Sequence, residues 1–153
     1  MKEKKDFLRK KLIEFQLKIA DLSHALTEQE DAFHTRKGEL FTGLFEVLDA
    51  FENVEGTIKA KEDGMDKTAR GLAKNVRSIR KKLVRLLRAD DVVKMEFPNN
   101  RAGMGSCKVV DTRVSDTLED ETILEIVKNG YVNQDKGKVL RKAEVITVLN
   151  EDL

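Results

Sequence analysis

Tryptophan is absent from this 153-residue chain; tyrosine, proline and cysteine occur once each, and histidine twice. Each scarcity closes something off. With aromatics at 5%, there is little material for one wide hydrophobic core. Cys107 stands alone, so neither an intramolecular disulfide nor a thiolate metal cage can form. That composition suits a reducing compartment, and a cytoplasmic location is expected. No apolar run approaches the roughly 18 residues of a membrane span. The opening residues, Met1 to Asp6, are charged with no apolar run behind them, unlike a signal peptide, so no membrane association is expected. Neither sign of charge prevails: 29 basic against 28 acidic residues leave a formal net of +1. Total charge therefore points to no polyanionic partner; only its distribution could. Phosphate-cradling loops of the G-x-x-x-x-G-K-[ST] or G-x-G-x-x-G kind are missing too.

What the chain does have is charge and helical periodicity. Charged residues reach 37%, against about 25% in an ordinary globular domain. Leu8, Leu12, Phe15, Ile19, Leu22 and Leu26 follow one another in steps of 4, 3, 4, 3 and 4. This is a heptad, continued at its a positions by Phe33 and Leu40, with Gln29 and Arg36 at d. A period of about 3.5 residues describes a seam facing another helix along its length. No other segment is long enough to cover it, so a second copy is the expected partner and the protein is expected to be a homodimer. Gly38 and Gly43 each cost about 1 kcal/mol relative to Ala in a helix, which marks residues 36–43 as the place for the helix to loosen.

From Phe41 to Ile58 the apolar face widens, with Leu44, Leu48 and Phe51 among its members, as in a bundle helix. A charged connection with Gly64 follows, and Asp63 or Asp66 can cap the next helix, about Lys67 to Arg88. Its stripe is Leu72, Val76, Ile79, Leu83 and Leu86. Two such helices per chain make a four-helix bundle in a dimer. After Ala89 the character changes. Val92–Phe97, Cys107–Val114, Ile123–Lys128 and Val139–Val148 are rich in β-branched residues and predict strands, separated by Pro98-Asn-Asn, Asn129-Gly130 and Asp135-Lys-Gly137 turns. The fold class expected is α+β: a long coiled-coil helix over 1–40, a helical bundle and dimerisation region over 41–89, and a small all-β domain over 90–153.

Catalytic chemistry is hard to place. His24 and His34 fall at solvent-facing f and b positions, with no acid, Cys or Ser partner at a useful spacing. Asp116, Glu119, Asp120 and Glu121 cluster before a strand but lack the ordered spacing of a calcium loop, and read as a solvated acidic turn. Neither an enzyme nor a cofactor or metal is expected. One charge feature is stronger: the 67–88 helix has nine basic residues and no acid. It could neutralise the phosphates of a nucleic acid. Against that, it has no aromatic residue to stack on bases, and the acids between Glu46 and Glu62 could pair with it, so nucleic acid is not expected as the main partner.

The last thirty residues resemble a known family. Ile123-Leu-Glu-Ile-Val-Lys-Asn-Gly-Tyr131, followed by Gly137-Lys-Val-Leu-Arg-Lys-Ala-Glu-Val145, is similar to the C-terminal signature of the GrpE nucleotide-exchange factors. In that signature a strand ends in Gly-Tyr or Gly-Phe, and a hairpin leads through a Gly-basic pair to an aliphatic-Arg-x-Ala-x-Val strand. Upstream, Leu44-Phe-Glu-Val-Leu-Asp-Ala-Phe-Glu52 resembles the family's Leu-Leu-Pro-Val-x-Asp-x-Leu-Glu helix, with Glu46 in place of Pro. Lys138 stands where Arg is common, and Thr147 where an aliphatic residue is usual.

The resemblance implies a co-chaperone with no covalent chemistry. Its β domain would bind the nucleotide-binding domain of a DnaK-type chaperone and favour an open cleft that holds ADP poorly. Carried over residue by residue, Lys138 and Arg141 would offer positive contacts, Val127 and Thr147 would lie on the apolar contact face, and Arg36 and Lys37 would reach the chaperone from the helix. Tyr131 would pack inside the β domain. Two other readings stay open: a dimeric scaffold of the same shape that has lost exchange, and nucleic-acid binding through the basic helix.

Overall fold

In the computed structural model, which describes residues 1–150, helix α1 runs from Lys2 to Lys61. Helical assignment is unbroken through Gly38 and Gly43, where loosening was expected. One helix therefore contains both the heptad stretch and the first bundle segment. By its contacts the chain divides into residues 1–40 and the remainder. In the first unit the heptad positions lie bare: Leu8, Leu12, Phe15, Ile19, Leu22, Leu26, Phe33 and Leu40 are 57–66% exposed.

The second unit begins at Phe41. After α1, the turn Glu62–Gly64 reverses the chain. Asp66 then caps α2 (Lys67–Ala89) by accepting from the backbone N–H of Ala69 at 2.7 Å, which satisfies one of the unpaired donors of the first turn. Pairing of Arg77 with Glu55 and of Arg80 with Glu52 fixes α2 antiparallel to the end of α1. Phe41, Phe45 and Leu48 of α1 meet Leu87 of α2 together with Val92 and Tyr131, and these six form one core.

Six strands make two three-stranded sheets. The first has the antiparallel order β1 (Val92–Lys94), β4 (Tyr131–Asn133), β5 (Lys138–Arg141). In the second, β6 (Ala143–Val148) lies between β2 (Cys107–Arg113), to which it is parallel, and β3 (Ile123–Lys128), to which it is antiparallel. Cys107, Ile123, Ala143 and Val145 form the second core, flanked by Phe97 and Ala102.

Beyond shifts of one residue, the strands differ from the sequence reading in three places. The first strand stops at Lys94 rather than Phe97. Tyr131–Asn133, which lies between two turn signals and is not among the expected strands, is a strand, because it is held on both sides by β1 and β5. The stretch Val139–Val148 is two strands in different sheets, parting at Lys142, where the N–H of Ala143 leaves the first ladder and donates to the carbonyl of Ser106. Gly130 makes that crossing possible. A Cβ there would stand 2.6 Å from the Ala143 nitrogen and 3.0 Å from the Arg141 carbonyl oxygen, closer than any side chain permits. Gly137, at φ +61°, supplies the left-handed turn before β5.

Candidate interaction surfaces

Arg141 ends β5 and points inward. Its Nη1 donates to Asp49 Oδ2 at 2.7 Å and its Nη2 to Asp49 Oδ1 at 2.6 Å, a two-point fork between strand and helix. Its Nε and Nη2 also donate to the carbonyl of Asn129, at 3.0 and 2.8 Å. The guanidinium carbon lies 5.5 Å from the Phe45 ring and 5.2 Å from the Tyr131 ring, and those two rings stack with centroids 4.2 Å apart. The Asp49 hydrogen bonds hold Arg141 above its ordinary pKa, against the opposing effect of burial. Burial likewise pushes the Tyr131 phenol up.

This corrects the expected outward role of Arg141. Each of its three nitrogens donates a hydrogen bond and its side chain is only 18% exposed, so it locks the β region onto α1 instead of facing a partner. Thr147 is corrected in the same way. It sits in the central strand β6, paired with Thr112 on one side and Ile123 on the other, and is 3% exposed. Val127 on β3 is 52% exposed, and Lys138 opens β5 at the surface. They lie in different sheets. Arg36 is exposed and Lys37 is half-buried on α1.

The sequence reading missed the other exposed apolar residues of the sheet that holds Val127. Val109 and Val110 on β2, with Leu124 and Ile126 on β3, are all more than a third exposed. Val109 and Ile126 flank Val145 in register, so two uncovered side chains border a fully buried one. The available signal was the run of consecutive β-branched residues, which reads as buried strand but here lies on the two edges of a narrow sheet.

Among the expected dimerisation residues of the second unit, the structure separates two sets. Leu48 is 2% exposed and belongs to its own chain's core, so it is not free to meet a twin. Leu44, Phe51, Val76 and Leu83 are half-buried. Leu72 and Ile79 are 62% and 55% exposed, and Leu86, the last member of the same stripe, continues their seven-residue spacing at 69%. Val47 and Val54, also seven apart, form a comparable stripe on α1.

The basic face of α2 is divided too. Arg77 grips Glu55 with Nε donating at 2.9 and 3.1 Å and Nη2 at 2.8 Å. This hydrogen bonding draws the Glu55 carboxyl below its usual range and raises Arg77. Arg80 bonds Glu52, while its buried Nε has no partner among the described residues. The other seven cations of the helix are exposed and carry no ion pair among the described residues. His24 and His34 are exposed on α1, and His24 has only a distant Glu28, at 3.9 Å. Among the described residues no helix is long and apolar enough to cross a membrane.

The GrpE family model matches residues 1–148. No curated protein matches the chain. A co-chaperone role in nucleotide exchange is what that match supports, and the arrangement of long helix, short helix and small β region agrees with it. The chain belongs to the GrpE family.

Proposed function

We propose that this protein is a cytoplasmic, homodimeric exchange factor that promotes ADP release from a DnaK-type chaperone by binding its nucleotide-binding domain and favouring the open cleft. The observation that carries this reading is the match to the GrpE family over residues 1–148, joined to a heptad seam that the chain itself leaves bare. Fully burying one Leu, Ile or Phe side chain contributes about 1.5–3 kcal/mol. Eight such residues in one stripe favour a second helix laid against it, and the Leu72, Ile79 and Leu86 stripe favours extension of the contact through residues 41–89.

The chaperone contact is proposed on the β region. Val127 and Lys138 keep the outward roles first assigned to them, and Val109 and Ile126 join the apolar face. Arg141 and Thr147 act from within, one by fixing the β region on α1 and the other by filling the centre of its sheet. Arg36 and Lys37 add contacts from α1. Lys138 meets a carboxylate as a point charge and lacks the planar two-point grip of Arg.

No bond is made or broken in such a mechanism. The factor works by binding the open chaperone better than the closed one, and a hundredfold fall in ADP affinity requires a preference of about 2.7 kcal/mol. The deciding experiment is stopped-flow release of labelled ADP from a DnaK-type chaperone. Acceleration at micromolar protein, reduced by Val127→Asp, is expected. No acceleration would reject the reading, and a monomer by light scattering at that concentration would reject its dimeric part.

A further inference from the structure

We propose that α2 carries a second binding surface, for the phosphate backbone of a nucleic-acid duplex, independent of nucleotide exchange. Nine basic residues and no acid lie between Lys67 and Ala89. The sequence left open whether the acids of α1 neutralise them. Among the described residues, those acids pair with just two cations of this helix, Arg77 and Arg80. At 3.6 residues per turn, Lys67, Arg70, Lys74, Lys81, Arg85 and Arg88 fall within an arc of about 60°. All six are exposed. The stripe they form is about 32 Å long at 1.5 Å per residue, close to one turn of a duplex. Toward its C-terminal end a cavity of about 270 Å³ is lined by Arg80, Lys81, Val84, Arg85 and Arg88: three cations without an ion pair among the described residues, beside the Glu52-bound Arg80, around one concavity that can admit a phosphate.

The composition of the stripe selects the partner. It contains no aromatic side chain, so it cannot hold single strands by base stacking. The exposed apolar residues Leu72, Ile79 and Leu86 stand about 150° round the helix, away from the cations, so a surface offered to the cations gains no apolar insertion of the kind a lipid bilayer rewards. An acidic protein patch would ask for buried apolar anchors among the charges, and there are none. A linear array of cations without apolar content fits a linear, regularly spaced polyanion. Recognition is then electrostatic and indifferent to base sequence.

The test is fluorescence anisotropy of the full chain with a labelled 30-base-pair duplex between about 50 and 200 mM salt. Neutralising about four to six phosphates gives a slope of log K against log salt of about −3.5 to −5.5, and a loss of affinity of about 10²–10³ across that range. The triple variant Lys74→Gln, Lys81→Gln, Arg85→Gln should bind more weakly, with a slope shallower by about two to three. Its helix content and ADP-release activity should be unchanged. The pair Lys108→Gln and Arg113→Gln, on the β2 strand, should bind the duplex as the parent does. No saturable binding at 50 mM salt would overturn the proposal, as would a slope unaltered in the triple variant. Tighter binding to single strands, to phosphatidylglycerol vesicles or to polyglutamate than to duplex would overturn it equally.

Discussion

Replacing Arg141 by Leu should destabilise the second unit far more than loss of a surface charge could. The substitution keeps an aliphatic stem against Phe45 and Tyr131 but removes the fork on Asp49 and both bonds to the Asn129 carbonyl. Asp49, itself only 18% exposed, keeps Lys128 as a distant neighbour at 4.0 Å. Removing one partner of a buried pair costs about 3–5 kcal/mol, and the residual exposure here places the loss near the lower end, at about 3 kcal/mol. For a unit of about 110 residues that is a fall in Tm of about 10–15 °C. The assay is favourable because the chain has one tyrosine and no tryptophan. Intrinsic fluorescence therefore comes from Tyr131, the ring on which the guanidinium lies. Unfolding should be followed at fixed protein concentration, since a dimer's stability depends on it. Asp49→Asn in the Arg141→Leu background removes the stranded carboxylate, so the double variant should be less destabilised than the sum of the singles by about 1–2 kcal/mol. A loss below about 1 kcal/mol for Arg141→Leu, or strict additivity in the cycle, would refute the assignment of Arg141 as an internal lock.

Gly130→Ala should destabilise the β region by about 1–3 kcal/mol, measured by chemical denaturation, because the new methyl meets backbone at 2.6 Å and cannot be accommodated by moving a side chain. The Tyr131 phenol should titrate above 10 by absorbance at 295 nm; since burial raises its folded pKa, the stability it contributes is present below 10 and is lost as pH rises through the folded value. Glu55 has the opposite sign. Its folded pKa is lowered by Arg77, so the contribution is present above 4.5 and is lost as pH falls through the depressed value, and Glu55→Gln should flatten the acid limb of the stability curve. Leu22→Lys with Leu26→Lys should shift the protein toward monomer in sedimentation or light scattering, while Leu48→Ala should instead lower Tm through a cavity in the protomer's own core.

The helices were legible because their signal is local. A seven-residue repeat names the helix and its seam without reference to anything distant, and the change to β-branched residues after Ala89 marks the second architecture equally well. The family resemblance rested on contiguous residues for the same reason. Less was legible in the β region. Tyr131–Asn133 is too short to announce itself as a strand, and exists because β1 and β5 offer it partners on both sides. The division of Val139–Val148 between two sheets depends on Ser106 meeting Ala143 across the fold.

What the sequence alone determined is the order of elements, the heptad stripe and the basic helix. What only the tertiary structure decided is the direction in which polar and apolar side chains face. Arg141 finds its carboxylate 92 residues away, Thr147 is enclosed by neighbours on two other strands, and Glu52 and Glu55 quench two of nine cations and leave seven without an ion pair among the described residues. The reason is physical. Periodicity fixes which residues share a face, but whether a charge on that face is buried, paired or free depends on which distant group arrives opposite it, and that is settled only when the chain has folded.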